Sequence, residues 1–234
     1  MSPPKARRNT LLLAGAAVGA LYLLPFGRLV LLPAIYLNTH LHELCHALAA
    51  IGTGGRPGQI LVFGDGSGQC ATLGGIAPVI ASAGYLGAAI LGATIVLVAR
   101  TVAGARLVPR GLAITLAVSL VLLVRGDLIG VLSGAFWMLT LALMGQRLRG
   151  DLLMGTVQFL GLVQGLQSLT SIGDLLRISA TAQANSDAET MAAMTRIPAL
   201  AWALLWAVLS LSTTGWSLWR VSRSRPSSHP LAGP

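Results

Sequence analysis

Apolar residues fall into long runs along this chain, at about 11–26, 29–51, 78–99, 111–124, 128–146, 152–172 and 198–219. Each is too long for a buried strand, and several approach the roughly 20 residues that carry a helix across a bilayer. The shorter runs pair as 11–26 with 29–51 and 111–124 with 128–146, a spacing expected of tilted, kinked or re-entrant helices. The pattern predicts six spans, or seven, in an all-α polytopic membrane protein. One stretch breaks it. In "GQILVFGDGSGQCATLGG", residues 58–75, two short apolar segments flank Gly64-Asp65-Gly66-Ser67-Gly68. That punctuation predicts a β-hairpin, which needs packing against the protein because a lone hairpin is marginal in water.

Composition reinforces the membrane reading. Of 234 residues, 54% are apolar and 10% charged, against roughly a quarter charged in soluble domains. The net charge of +9 would suggest nucleic acid in a soluble chain. Here the basic residues flank apolar runs and cluster at the ends, as Lys5, Arg7 and Arg8 and again as Arg220, Arg223 and Arg225. That is the placement of interfacial anchors, so nucleic acid is excluded as a partner and both termini are expected in the cytoplasm of a multi-pass protein of the cell membrane. The 11–26 run is expected to be an uncleaved anchor rather than a secretory signal. Residues 1–225 read as one transmembrane unit and 226–234, "PSSHPLAGP", as a disordered tail carrying His229. Cys45 and Cys70 are too few for a disulfide framework.

The chemistry sits inside the second run. "THLHELCHALAA" places His40, His42, Glu43 and His46 in apolar surroundings, where each ionisable residue costs about 2.5–3.5 kcal/mol. A bound divalent cation offsets that cost. His42 and His46 are four apart and share a helix face, with Glu43 between them, which is the H-E-x-x-H arrangement: two imidazole ligands and a carboxylate placed to take a proton from water at the metal. His40 lies about 200° round the helix from His42 and cannot join them. Thr39 shares their face, either as a hydrogen-bond partner or through packing.

A catalytic zinc site takes three protein ligands, and no histidine remains. Asp174 is the first candidate. In "QFLGLVQGLQSLTSIGDLL", Gln158, Gly161, Gln164, Ser168, Ser171 and Asp174 form a polar and small stripe that must face the protein interior or a wet cavity. Asp127 and Asp65 stay open as alternatives, the first explained by an interfacial ion pair with Arg125 and the second by turn chemistry. Asp151 reads as part of a basic connecting loop. Asp187 lies in "SDAE", where Ser186 and Glu189 make a capping box and the aspartate complements a helix N-terminus. In the 78–99 run, Gly84, Ala88 and Gly92 recur every four residues, which permits close helix approach.

The pieces "HELCHALAAIGTGG", "FGDGSGQC", "ASAGYLGAAILG", "SLTSIGDLL", "SDAE" and "IPALAWALLW", in this order, resemble the site-2 protease family of intramembrane zinc metallopeptidases, in particular a compact branch of bacteria and plants without a PDZ domain. The resemblance spans roughly residues 35–220. It implies Zn2+ on His42, His46 and Asp174, Glu43 as general base, and a membrane-anchored protein as substrate. The Asn-Pro dipeptide that accompanies the third ligand in better-known members is absent here. A metal-binding or transport protein without hydrolytic activity uses the same histidines but needs no base at Glu43.

Overall fold

The computed structural model describes residues 4–24, 26–166 and 186–223. Within them eight helices and one hairpin follow in order: α1 (Pro4–Leu23), α2 (Gly27–Gly52), β1 (Arg56–Val62), β2 (Gly68–Leu73), α3 (Ala77–Val98), α4 (Val102–Leu122), α5 (Leu128–Arg147), α6 (Gly150–Gly165), α7 (Asp187–Thr195) and α8 (Ala199–Arg223). The predominance of helix and the hairpin at 56–73 bear out the expectation of a mostly helical chain with one β-hairpin. Four helices among the described residues, α3, α4, α5 and α8, are long and apolar enough to cross a membrane. The remaining apolar runs lie in α1, whose apolar part is the shorter Asn9–Leu21, in α2, diluted by its histidines, and in α6. Leu107, Ile114, Phe136, Leu139 and Val208 point outward and exposed, the surface of a multi-pass membrane protein facing acyl chains.

Local sequence explains the breaks. Thr101 and Asp127 cap α4 and α5 through their side-chain oxygens, which accept from Gly104 N and Gly130 N. Ser186 and Glu189 form the expected capping box at the start of α7. Gly74 and Gly75 take positive φ between β2 and α3, a conformation that any side chain would resist. Two sequence expectations change here. Asp127 makes no use of Arg125: it caps α5 and also accepts from Val62 N at 3.1 Å, while Arg125 turns back to the Val121 carbonyl. Asp151 stands in the first turn of α6 rather than in a loop.

α3 packs against α2, α6 and α8, and its small residues set the spacing. A Cβ added at Gly92 would lie 2.5 Å from the Gly161 carbonyl oxygen and against Gly165 N, so α3 and α6 meet backbone to backbone. Ala88 is buried on the same face. Gln158 and Gln164 are also buried, in accord with the inward stripe; Ser168, Ser171 and Asp174 lie outside the described residues.

The hairpin is antiparallel, with Ile60 opposite Cys70 and Val62 opposite Gly68. It lies on α2, where the Tyr36 hydroxyl donates to Gly64 O at 2.8 Å and the Thr39 hydroxyl to Gly66 O at 2.6 Å. Thr39 thus fixes the turn rather than a metal ligand. The outer edge of β1 is engaged as well: Ile60 N donates to Leu123 O at 2.9 Å and Ile60 pairs with Val124. Ile60, Val62 and Val124 close a small buried cluster beneath it.

Candidate metal centre

The histidines predicted to share a helix face do so. His42, Glu43 and His46 are buried on α2, and the two imidazole rings meet edge to face with centroids 4.7 Å apart. His46 Nδ1 lies 2.7 Å from the Ile80 carbonyl oxygen. A carbonyl only accepts, so Nδ1 carries the proton and the Nε2 lone pair is free to bind a cation, the outer-sphere arrangement typical of histidine ligands. His40 is turned away, as its angular position requires, and pairs with Ser133 Oγ at 3.0 Å.

The third group is Asp187. Its Oδ2 lies 3.1 Å from His42 Nε2 and 3.2 Å from His46 Nε2. Ligand atoms of His42, His46 and Asp187 all fall within 4.8 Å of one another. Tetrahedral zinc with ligands at about 2.0–2.2 Å separates neighbouring donors by roughly 3.4 Å, so two nitrogens and one carboxylate oxygen converge at close to the spacing a single ion needs. The donor set, two imidazoles and a carboxylate, is one of the known catalytic zinc combinations. The residues therefore fit the metal. Among the described residues these three alone form such a group.

Asp127 and Asp65 are occupied elsewhere, the first by its cap and the second by the turn, where Ser67 N and Oγ donate to its Oδ1 at 3.0 and 2.7 Å. Burial pushes the Cys70 thiol up to about 12, with the Glu43 charge adding to it. Cys70 is not among the ligand atoms that converge with His42 and His46. Sequence alone does not single out Asp187, because its local context already accounts for it. The capping box is real, yet at the first position of α7 the carboxylate also reaches both rings.

Two backbones close over the site. A Cβ at Gly84 of α3 would lie 2.5 Å from both His42 Cε1 and His46 Nε2. A Cβ at Gly68, where β2 begins, would lie 2.8 Å from Glu43 Oε1. The small-residue stripe and the glycine-rich hairpin thus have a specific use: they bring main chain against the ring edges and against the carboxylate. The Tyr85 ring also meets His42, edge to face at 4.6 Å.

No curated protein and no solved structure gives a significant match to this chain. The family model described as Peptidase M50B-like matches residues 12–217, which takes in α2 with its histidines, the hairpin, α7 and most of α8. The chain belongs to the Peptidase M50B-like family, in agreement with the site-2 protease kinship of its motifs.

Proposed function

We propose that this protein is an intramembrane zinc endopeptidase of the cell membrane that hydrolyses peptide bonds in membrane-anchored proteins. The observation that carries the reading is the convergence of His42 Nε2, His46 Nε2 and Asp187 Oδ2 beside a buried glutamate on the same helix. Family membership supports it, since M50 peptidases are zinc-dependent metalloproteases acting within bilayers. Four apolar helices supply the setting.

In this reading His42, His46 and Asp187 hold the zinc, with Asp187 in the place that the sequence alone offered to Asp174. Zinc supplies a Lewis acid that polarises the scissile carbonyl and acidifies water at neutral pH. The chain does the rest. Glu43 takes the proton from the attacking water and returns it to the leaving nitrogen. Its position between the two ligands fixes it beside the reacting atoms, and Gly68 leaves room for its carboxylate. A substrate must be extended to be cut, because a helix ties up its carbonyls. Among the described residues the edge of β2 away from β1 pairs with no further strand and lies next to Glu43, and there an extended segment can add as a strand, since β1 is already bridged to Val124.

Purified protein should contain one zinc, and Glu43→Gln should keep the metal while abolishing cleavage of membrane substrates. Metal retained together with undiminished cleavage would refute the role of Glu43. Asp187→Asn should lower zinc affinity about tenfold or more, with Asp174→Asn near wild type. The reverse result would return the third ligand to Asp174.

A further inference from the structure

The two imidazoles are steered by different means. His46 is fixed by a hydrogen bond from Nδ1 to Ile80 O. His42 Nδ1 is buried and has no hydrogen-bond partner among the described residues, so none of their polar groups sets the direction of its Nε2 from behind. What confines the ring is an aromatic wall. Tyr85 meets it at 4.6 Å with an interplanar angle of 79°. Behind Tyr85, Trp206 of α8 stacks at 5.1 Å and 21°, and Trp206 is itself fully buried.

The same aromatic pair seats the third donor. Ala188 and Met191 of α7 pack in one buried cluster with Ala81, Ala203 and Trp206, against which Tyr85 also rests. Ala188 follows Asp187 directly, so the position of the carboxylate depends on how α7 sits on this cluster. The end of α7 is tied to α8 by the Trp202 indole N–H, which donates to Thr195 Oγ1 at 3.1 Å.

We infer that Tyr85, backed by Trp206, is a positioning residue for the metal centre: its ring aims the His42 imidazole in place of a hydrogen bond, and its support fixes α7 and thereby Asp187. The inference rests on the metal reading above. It predicts that the ring is what matters at Tyr85 for the metal centre, because the contact with His42 is made by the rings.

The test is zinc affinity of the full-length protein in detergent, by chelator competition, joined to the visible spectrum of the cobalt-substituted form, which reports coordination geometry. Tyr85→Phe, which keeps the ring, should stay much closer to wild type than Tyr85→Leu in both. Tyr85→Leu, which keeps apolar bulk but loses the ring, should weaken zinc roughly tenfold to a hundredfold and alter the cobalt bands. If Tyr85→Leu does not fold, Trp206→Phe carries the test, with a several-fold loss expected and unchanged affinity overturning the inference. Wild-type affinity and spectrum in Tyr85→Leu, or equal losses in Tyr85→Leu and Tyr85→Phe, would also overturn it. His42→Ala separates the two levels. If it leaves zinc binding intact the metal reading falls; if it abolishes binding while Tyr85→Leu has no effect, only the present inference falls.

Discussion

Gly84→Ala adds a single methyl where α3 meets the two imidazole rings. The new Cβ would stand 2.5 Å from His42 Cε1 and from His46 Nε2, and closer still to His42 Nε2. Ordinary contact begins near 3.4 Å, so either α3 retreats by about an ångström or the rings turn. Retreat is blocked eight residues on, where Gly92 touches the α6 backbone. His46 is also anchored to Ile80 on the same helix, one turn before Gly84. The strain is therefore relieved by rotating imidazoles away from the shared donor point. An overpacked core costs about 1–3 kcal/mol. Taken from zinc binding at about 1.4 kcal/mol per tenfold, this is a loss of roughly fivefold to 150-fold. The assay is zinc retained against a graded chelator series, with Gly111→Ala as control, since a Cβ there meets nothing within 4 Å. Gly84→Ala with wild-type affinity would refute the claim that α3 main chain closes the site.

Other outcomes follow from the hairpin and its supports. Asp127→Ala removes the α5 cap and the acceptor for Val62 N together, and should lower stability by about 1–2 kcal/mol, read as a drop in thermal unfolding midpoint, with faster hydrogen exchange at Val62. An unchanged midpoint would deny Asp127 that double role. At the turn, hydrogen bonds from Ser67 hold the Asp65 carboxyl below its usual range. A depressed folded pKa means that its stabilising effect is present above about pH 4 and lost on acidification through the lower folded value. Exchange protection of Ser67 N–H should fall as the pH drops below about 4, and Asp65→Asn should flatten that dependence.

The parts legible in the sequence are those in which one segment carries its own evidence. Four-residue spacing placed His42 and His46 on one face, the angular offset removed His40, and Gly-Asp-Gly announced the hairpin. The stripe of Gly84, Ala88 and Gly92 forecast a close approach without saying what would be approached; α2 meets it at Gly84 and α6 at Gly92. Asp187 shows the opposite case. Its neighbours make a capping box, a complete local explanation, and nothing in "SDAE" records that the carboxylate also faces two rings on α2. A residue can satisfy a local rule and a distant one at once, and only the fold discloses the second. Tyr85 and Trp206 were invisible for the same reason, each reading as ordinary apolar bulk in its own helix. For Asp127 the nearest partner in sequence is an arginine two residues away, whereas the partners in space are the amides of Gly130 and Val62.

His42 and Asp187 are separated by 145 positions, and that interval has a bearing on biosynthesis. A nascent chain entering the bilayer displays both imidazoles early and receives the carboxylate only after four further helices, α3 to α6 among the described residues, have been made. On the proposed reading zinc capture is a closing event of assembly. The enzyme is consequently unarmed while it is inserted among other newly made membrane proteins, and a product truncated before α7 would be left without cutting power.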